Sequence, residues 1–427
     1  MRFSTLESWL RWQEQLHPNP IDLGLDRVRR VLKSMQLEQP AFRVLTVGGT
    51  NGKGSCVAFL DAILHAQGFK VGAYTSPHLL HYNERICVNG VEATDLELCA
   101  AFENVDAARG DVSLTYFEFG TLAAFDIFRS HKIDVAVLEV GMGGRLDAVN
   151  TVDSDAALVA SIGLDHQEWL GDDRDSIGYE KAGIYRGQRP AICGDRDPPP
   201  RLLATARQLG AELEVLGRDF DWQMSGDTWC WRSHAREIKQ LPAPALPGRI
   251  QFDNASSVLA LLQSLRSVLP VGEAGLREGL QTAWISARFQ RLPGEVECIL
   301  DVAHNPDAAR VLATNLAMNR VTGKTVAVVG MLRDKAVEEV VRVLAFRFDR
   351  WFVAGLGGLR GQSAADLTRR IQVAIPDAKL TECPTVADAF QAAQSASVAG
   401  DRIVVFGSFQ TVSAILRLRQ ESGTNCI

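Results

Sequence analysis

The sequence predicts an α/β protein in which two domains each contain a parallel-rich sheet. Its 427 residues exceed the length of one ordinary domain. Residues 133–140 form an almost continuous apolar run, which is typical of a parallel strand buried on both faces. From about residue 295 onward, strand-like runs alternate with helix-like runs, which predicts strand–helix–strand units. We therefore place a larger domain at residues 1–286 and a smaller one at residues 287–427.

The first 40 residues predict two helices around a proline-containing turn at residues 17–20. Residues 21–25, Ile-Asp-Leu-Gly-Leu, follow that turn. They allow two interpretations. Asp22 caps the second helix, or the segment is a loop that faces a substrate.

A glycine-rich stretch at residues 48–55 comes next, between a β-branched apolar run and a helix-like run that ends before Gly68. Strand, glycine turn and helix form a phosphate cradle, because backbone N–H groups and the helix N-terminus attract an anion. The strict P-loop pattern fails twice, because Val47 occupies its first glycine position and Gly54 separates Lys53 from Ser55. A glycine turn that only serves packing does not explain the lysine. We therefore predict a P-loop NTPase-like domain that binds ATP through Thr50, Asn51, Gly52, Lys53, Gly54 and Ser55.

Residues 69–74 predict a second strand, which ends at Thr75-Ser76-Pro77-His78. The carboxyl ends of strands line the ligand crevice of an α/β sheet, so Ser76 and His78 are candidates for a metal or phosphate contact. A proline turn with a serine cap is the alternative. Residues 84–91 then predict a strand with an Asn-Gly hairpin turn.

Two helices are predicted at about 94–108 and 117–130. Thr115 and Glu118 match a capping box at the start of the second helix, which is a sufficient structural explanation for both. The aromatic residues Tyr116, Phe117 and Phe119 could instead form the wall of a site for a flat ring.

Glu139 ends the apolar run and precedes a second glycine-rich turn that contains Arg145 and Asp147. A carboxylate there suits Mg²⁺ beside the phosphates. The alternative is a Glu139–Arg145 ion pair. His166 follows a further strand at residues 156–161, and residues 175–184 predict a short helix. On that helix, Glu180 and Lys181 resemble a solvent-exposed charge pair.

The pattern weakens from about residue 190, where Asp197-Pro198-Pro199-Pro200 predicts a rigid connection. Residues 221–232 suggest a tryptophan-bearing hairpin, residues 241–248 an extended loop, and residues 251–267 and 273–284 two helices. Asn254 falls in the first turn of the former helix, where asparagine is commonly a cap.

The smaller domain is predicted to be Rossmann-like, with strands at about 297–301, 324–330, 350–354 and 402–407. Asp301, His304 and Ser408 each follow one of these strands. The segment 288–294 that precedes the domain is loop-like.

Composition narrows the class of protein. A net charge of −6 gives no general attraction to nucleic acid or to anionic membranes, so neither is an expected partner. No apolar run is long enough to span a bilayer, and residues 1–7 lack the apolar core of a signal peptide. The eight cysteines are scattered without a CxxC pair, which is typical of reduced thiols in a cytoplasmic protein.

The motifs together resemble a known family. The segment Gly49-Thr50-Asn51-Gly52-Lys53-Gly54-Ser55 resembles the nucleotide loop of the Mur ligases and folylpolyglutamate synthases, in which the extra glycine is the family's own form. Residues 75–79, 139–147, 164–166, 180–184 and 301–306 narrow the resemblance to the folate branch. Residues 21–25 and 114–118 are similar to the bifunctional dihydrofolate synthase/folylpolyglutamate synthases.

The resemblance implies an ATP-dependent ligase that uses two Mg²⁺ ions. It would join L-glutamate to 7,8-dihydropteroate and add further glutamates to reduced folates, through an acyl phosphate. The larger domain would bind ATP and the pterin, and the smaller one would be the ligase domain. We expect a monomer.

The resemblance also implies roles for individual residues. Ser76 and Glu139 would hold the first Mg²⁺, and His166 with a carbamylated Lys181 would serve the second; Lys53, Glu139, His166 and Lys181 would be the catalytic set. The nucleotide site at the domain interface would be completed by Asn254, Arg288, Asp301 and His304. The substrate-binding residues would be Ile21, Asp22, Leu23, Thr115, Phe117, Glu118, Leu146, Asp147 and Ala148, with Arg85 and Ser408 for glutamate.

Three alternatives stay open at this point. The chain could be a folylpolyglutamate synthase only, or another Mur-type ligase with a different acid. It could also be a regulatory protein that hydrolyses ATP without ligation. A ligase releases ADP only when both the acid and glutamate are present, whereas a switch protein needs neither.

Overall fold

The computed structural model describes residues 2–421. The chain divides into two compact units. The N-terminal unit contains the residues up to Ala245 and Gln251–Trp284, and the C-terminal unit contains Leu246–Ile250 and the residues from Ile285 onward.

An eight-stranded sheet forms the centre of the N-terminal unit, in the order β4-β3-β2-β5-β1-β6-β7-β8. Its strands are β1 (Arg43–Gly48), β2 (Val71–Tyr74), β3 (Ile86–Val88), β4 (Val91–Glu92), β5 (Val135–Glu139), β6 (Ala156–Val159), β7 (Pro190–Cys193) and β8 (Glu212–Val215). The six strands from β2 to β8 in this order are parallel, and β3 and β4 form an antiparallel edge. β5 is buried along its whole length, as its apolar sequence predicts.

The N-terminal unit contains ten α-helices within the described residues, and they include all those predicted from the sequence. They are α1 (Leu6–Leu16), α2 (Asp26–Ser34), α3 (Lys53–Ala66), α4 (Asp95–Arg109), α5 (Tyr116–His131), α6 (Gln167–Leu170), α7 (Arg174–Ala182), α8 (Pro200–Leu209), α9 (Ile250–Ser264) and α10 (Glu273–Thr282). The capping box at Thr115 and Glu118 starts α5 as predicted. None of the helices in residues 2–421 combines the length and apolarity that a bilayer crossing requires.

The region from 190 to 245 holds more structure than the sequence indicated. β7 and β8 extend the main sheet, and α8 begins at Pro200, since proline is tolerated at the first helical position. A three-stranded antiparallel sheet follows, formed by β9 (Phe220–Ser225), β10 (Thr228–Ser233) and β11 (Glu237–Leu241). The predicted hairpin is β9–β10, and its Trp229 and Trp231 are fully buried.

The C-terminal unit contains a six-stranded sheet in the order β12-β13-β17-β14-β15-β16, parallel except for β12. Its strands are β12 (Gln290–Leu292), β13 (Glu297–Leu300), β14 (Thr325–Val329), β15 (Arg350–Ala354), β16 (Leu380–Cys383) and β17 (Arg402–Phe406). Its helices are α11 (Pro306–Met318), α12 (Val337–Leu344), α13 (Ala364–Ala374), α14 (Val386–Ser395) and α15 (Phe409–Glu421). The predicted parallel sheet is therefore confirmed, although β12 lies in a segment that resembled a loop.

Seven of the eight cysteines lie in the described residues and all seven are free thiols, as the sequence predicts. Cys426 lies outside the described residues.

Candidate active site

The first glycine loop connects the carboxyl end of β1 to the start of α3. It is fastened to the chain that follows β6. Thr50 N donates to Ser161 O at 2.6 Å, and the Thr50 hydroxyl both donates to Gly163 O at 3.1 Å and accepts from Gly163 N at 3.0 Å. The loop is thus held in place at a helix N-terminus, which is the geometry of an anion-binding turn.

At two positions of the loop only glycine fits, because the backbone has a positive φ and neighbouring atoms leave no room for a Cβ. Gly49 and Gly52 have φ values of +141° and +87°. A Cβ on Gly52 would lie 2.6 Å from Asn254 Oδ1, so Asn254 lies directly against the loop. Asn254 is a buried residue inside α9 whose amide nitrogen donates to Gln251 Oε1 at 2.9 Å. Its interpretation as a helix cap is wrong, because α9 begins at Ile250.

The Lys53 side chain folds back onto this loop. Its Nζ donates to Gly49 O at 3.0 Å and to Thr50 O at 3.2 Å. Gly54 and Ser55 are buried behind it in the first turn of α3. The arrangement places a cation at the mouth of the loop, where phosphates would bind.

Glu139 and Ser76 meet at the carboxyl ends of the adjacent strands β5 and β2. Ser76 N donates to Glu139 Oε2 at 3.1 Å, and the Glu139 residue is only 6% exposed. The Ser76 hydroxyl makes no hydrogen bond within residues 2–421. The alternative Glu139–Arg145 ion pair is wrong, because Arg145 pairs with Glu180 at 2.9 Å.

The second glycine-rich turn packs directly on α7. A Cβ on Gly144 would lie 3.0 Å from Glu180 O, and one on Gly183 would lie 2.3 Å from the Cβ of Arg145. This close approach buries Lys181, which is 3% exposed. The interpretation of Glu180 and Lys181 as a solvent-exposed pair is therefore wrong, because the glycines let the helix and the turn come together.

Lys181 has an unusual electrostatic environment. Its pKa is lowered to about 7, mainly by burial and also by the nearby Lys53 cation, although Asp165 and Asp147 act in the opposite direction. The structure thus brings Lys53, Lys181 and Asp147 into one neighbourhood. The sequence did not indicate a role for Asp165, although it lies beside the predicted His166.

His166 adopts a left-handed backbone conformation at the start of α6, with φ +52°. Its Nε2 lies 4.0 Å from Asp165 Oδ2, and its backbone N–H donates to Asp165 Oδ1 at 2.9 Å. Asp165 therefore connects the predicted metal ligand His166 electrostatically to Lys181.

The donor set can be compared with what Mg²⁺ needs. No group of three or more His, Cys, Asp or Glu side chains in residues 2–421 is arranged to hold a metal ion. Mg²⁺, however, usually keeps several waters and binds through one or two carboxylates plus substrate phosphates. A buried carboxylate at Glu139, an open hydroxyl at Ser76 and a phosphate loop next to them fit that mode of binding.

Asp147 stabilises the second glycine-rich turn through hydrogen bonds to its backbone. Its carboxylate accepts hydrogen bonds from Met142 N at 2.9 Å and from Val149 N at 3.0 Å. Its pKa is raised to about 6 because the effect of burial exceeds the opposing effects of these backbone donors and of Lys53. Leu146 and Ala148 flank it, so the predicted substrate residues 146–148 form one turn.

The start of α5 lies against this turn. A Cβ on Gly141 would meet the Phe117 ring at 2.8 Å, and the Phe117 and Tyr74 ring centroids are 5.8 Å apart. Of the predicted substrate residues on α5, Phe117 is thereby brought against the turn that contains Asp147. Tyr74 was not identified from the sequence, because an aromatic residue in a strand ordinarily indicates core packing.

The loop of residues 21–23 is connected to the start of α5 by the side chain of Arg27. Arg27 Nη1 lies 2.8 Å from Asp22 Oδ2, and Arg27 Nη2 lies 2.9 Å from Glu118 Oε1. Asp22 does not cap α2, because the N-cap position is Leu25. Sequence reasoning missed Arg27, which stands among other charged residues at the start of an amphipathic helix.

Arg85, predicted to contact glutamate, lies among aromatic rings beyond the Ser76 turn. Its Nε donates to His78 Nδ1 at 2.8 Å, and its guanidinium carbon lies 5.4 Å from the Tyr82 ring and 5.6 Å from the Tyr116 ring. The two rings contact each other, with centroids 5.7 Å apart, and together they favour a cation at the position of Arg85.

Three of the predicted residues of the C-terminal unit form a cluster of their own. The Asp301 carboxylate accepts hydrogen bonds from Phe289 N and Ala303 N. Burial raises its pKa above the usual value, although the Arg288 cation acts in the opposite direction. Arg288 lies 5.6 Å and His304 6.5 Å from the Phe409 ring. The preceding Ser408 has its hydroxyl engaged at the start of α15, where it accepts from Thr411 N at 3.0 Å.

The chain is similar to proteins of known family. Residues 287–409 match the family model described as Mur ligase, glutamate ligase domain. The chain is 41% identical to the dihydrofolate synthase/folylpolyglutamate synthase of Escherichia coli (strain K12), over 97% of this chain and 96% of that protein.

Solved structures are similar as well. Escherichia coli FolC in complex with DHPP and ADP superposes with a TM-score of 0.93 at 41% identity, covering 98% of this chain and 99% of that one. A bifunctional folylpolyglutamate synthase/dihydrofolate synthase with Mn, AMPPNP and L-glutamate bound gives a TM-score of 0.90 at 43% identity, covering 98% of both chains.

Proposed function

The chain belongs to the dihydrofolate synthase/folylpolyglutamate synthase family, and we propose on that premise that it joins L-glutamate to 7,8-dihydropteroate and adds further glutamates to reduced folates. It is an ATP-dependent carboxylate–amine ligase. The observation that carries the proposal is the loop at residues 49–52, held under Lys53 and beside Glu139. This arrangement suits phosphoryl transfer to a substrate carboxylate.

The chemistry follows from the substrate. A carboxylate is a poor electrophile, so its oxygen first takes the γ-phosphate of ATP and releases ADP. The amine of glutamate then attacks the acyl carbon, loses a proton and expels phosphate as the amide forms. The loop N–H groups and Lys53 position the moving phosphoryl group and neutralise its charge.

We propose that Glu139 and Ser76 hold one Mg²⁺, and that His166 with a carbamylated Lys181 serves the second. The metal ions would supply further charge neutralisation at the phosphates. Burial of Lys181 supports this assignment, because a buried amine of low pKa is neutral often enough to react with CO₂.

We further propose that the pterin lies among residues 21–23, 115–118 and 146–148. Support comes from the contacts that bring these three segments together through Arg27, Phe117 and Asp147. Arg85 and Ser408 are assigned to glutamate, and Asn254, Arg288, Asp301 and His304 to the nucleotide.

We propose that the protein acts in the cytoplasm as a monomer, with no nucleic-acid or membrane partner. The seven free thiols support a reducing compartment. Size-exclusion chromatography with light scattering tests the monomer.

The test of function uses purified protein with ATP, Mg²⁺, L-glutamate and either 7,8-dihydropteroate or tetrahydrofolate. We expect ADP release only when an acid and glutamate are both present, and a product whose mass equals that of acid plus glutamate minus water. ADP release without either substrate would indicate a switch protein. Ligation of tetrahydrofolate alone would indicate a folylpolyglutamate synthase, and failure with both acids would indicate a different acid substrate.

A further inference from the structure

We propose that Arg27 is a positioning residue that selects for dihydropteroate, because it fixes the loop of residues 21–25 against the start of α5. The inference rests on the proposed function and concerns the same site. It assigns a role to a residue outside the predicted set of substrate-binding residues.

The guanidinium of Arg27 bridges two segments. On one side, Nη1 donates to Asp22 Oδ2 at 2.8 Å and Nη2 donates to Asp22 O at 2.6 Å. On the other side, Nη2 donates to Glu118 Oε1 at 2.9 Å and Nε to Glu118 Oε2 at 3.4 Å. One side chain therefore holds a loop backbone and a helix N-terminus at a fixed separation.

Glu118 passes this constraint on to Thr115. Its side chain is 5% exposed, and its Oε2 accepts from Thr115 N at 2.7 Å. The capping box explains why glutamate stands at this position, but a carboxylate accepts several hydrogen bonds and Arg27 uses the remaining capacity. Asp22 and Thr115, on two different walls of the proposed pterin site, are thus connected by three consecutive contacts.

Other contacts anchor the preceding helix independently. The Ser113 hydroxyl donates to Leu16 O at 3.0 Å, which ties the end of α1 to the residues before α5. His17 Nε2 lies 3.5 Å from Asp22 Oδ2. Removal of Arg27 should therefore remove the hydrogen bond to the Asp22 carbonyl, whereas α1 stays held by Ser113 and the Asp22 side chain keeps its contact with His17.

A simple stabilising ion pair is the competing explanation. It does not require the hydrogen bond to the backbone carbonyl of Asp22, which fixes the neighbours Ile21 and Leu23. The planar fork of arginine makes these contacts together, and a lysine ammonium cannot reproduce them. Arg27→Lys therefore keeps the charge and loses the positioning.

The expected effect is specific for one acid. Dihydropteroate and reduced folates carry their reactive carboxylates at different distances from the pterin ring, so the ring cannot lie in the same place for both. We expect Arg27→Gln and Arg27→Lys to raise the KM for dihydropteroate about tenfold or more, as for a lost charge-assisted hydrogen bond. The kcat at saturating dihydropteroate and the KM values for tetrahydrofolate and ATP should stay within about twofold.

Arg370 provides a matched control in the C-terminal unit. Its side chain is 27% exposed, against 26% for Arg27. It also pairs with both oxygens of one carboxylate, Glu338, and donates to the backbone carbonyls of Arg333 and Lys335. Arg27→Gln and Arg370→Gln should both lower the Tm, because each removes several hydrogen bonds, but Arg370→Gln should leave the KM for dihydropteroate unchanged.

A double-mutant cycle tests whether Arg27 acts through Asp22. The effects of Asp22→Ala and Arg27→Gln on the KM for dihydropteroate should be non-additive, because both substitutions remove the contact between Arg27 Nη1 and Asp22 Oδ2. Additive effects, or an equal rise in KM for both acids, would overturn the inference.

The remaining outcomes separate the two proposals. Wild-type protein that does not ligate dihydropteroate contradicts the proposed function itself. Wild-type protein that ligates it, with Arg27 variants of unchanged KM and lowered Tm, leaves the function standing and overturns the role of Arg27. Failure of both Arg27 variants to fold, while Arg370→Gln folds, would also overturn it.

Discussion

Lys53 and Glu139 place opposite charges at the carboxyl edge of the N-terminal sheet. Lys53 follows β1, and Glu139 ends β5. We expect Lys53→Ala and Glu139→Ala each to lower kcat by about 10²-fold or more, because each removes charge stabilisation that matters most in the transition state. Steady-state ADP release measures this, and circular dichroism should report an unchanged fold.

Lys239→Ala is a suitable control for this prediction, because Lys239 is an exposed lysine whose ammonium, within residues 2–421, pairs only with Glu237 on β11. It should leave kcat unchanged. A near-normal kcat in either Lys53→Ala or Glu139→Ala would contradict the phosphate and metal assignments.

The buried amine of Lys181 leads to a prediction about pH. With a pKa of about 7, the amine of the folded protein is mostly protonated at pH 6 and mostly neutral at pH 8. Only the neutral form attacks CO₂, so the carbamate should increase as the pH rises through this range. Nuclear magnetic resonance of protein equilibrated with ¹³CO₂ should show a carbamate signal that is absent from Lys181→Met.

The activity of Lys181→Ala gives a second measurement of the same group. We expect it to be low, and to recover partly when short carboxylic acids are added, since they replace the missing anionic oxygen. Full activity without such acids, or no Lys181-dependent carbamate signal at pH 8, would count against carbamylation.

At the scale of elements, the contact between α7 and the second glycine turn decides where Lys181 lies. A Cβ on Gly183 would lie 2.3 Å from the Arg145 Cβ and 2.6 Å from its Cα, so Gly183→Ala must push the helix away from the turn. We expect a loss of about 1–3 kcal/mol in the free energy of unfolding, as for other overpacked sites, together with a lower kcat.

Denaturant unfolding and steady-state kinetics of Gly183→Ala check this expectation. The matched control is Gly357→Ala, since an added Cβ at Gly357 would meet nothing within 4 Å. Equal stability of the two variants would mean that the helix and the turn can separate without cost.

At the scale of the molecule, a single P-loop sequence predicts a single catalytic centre for both acids. Dihydropteroate and tetrahydrofolate should therefore inhibit each other's ligation competitively, each with an inhibition constant close to its own KM. Product-resolved mass spectrometry of mixed reactions measures both rates together. Rates that simply add at saturating concentrations of both acids would indicate two independent centres.

Much of the fold follows from local patterns in the sequence. The glycine loop, the capping box at Thr115, the buried strand ending at Glu139 and the strand–helix alternation after residue 295 all appear as predicted. The strands β7, β8, β11, β12 and β16 were missed. They have three to five residues each, too few to establish a period.

The sequence by itself predicted the nucleotide loop and, through the family resemblance, the ligase reaction, because both predictions depend on short motifs of consecutive residues. Only the tertiary structure decided that Lys181 is buried, that Asn254 lies against Gly52 and that Arg27 joins Asp22 to Glu118. The partners in the last two contacts are 202 and 91 residues apart, as 254 − 52 and 118 − 27. Periodicity reports which face of its own element a residue occupies, whereas the neighbour on that face depends on how distant segments pack.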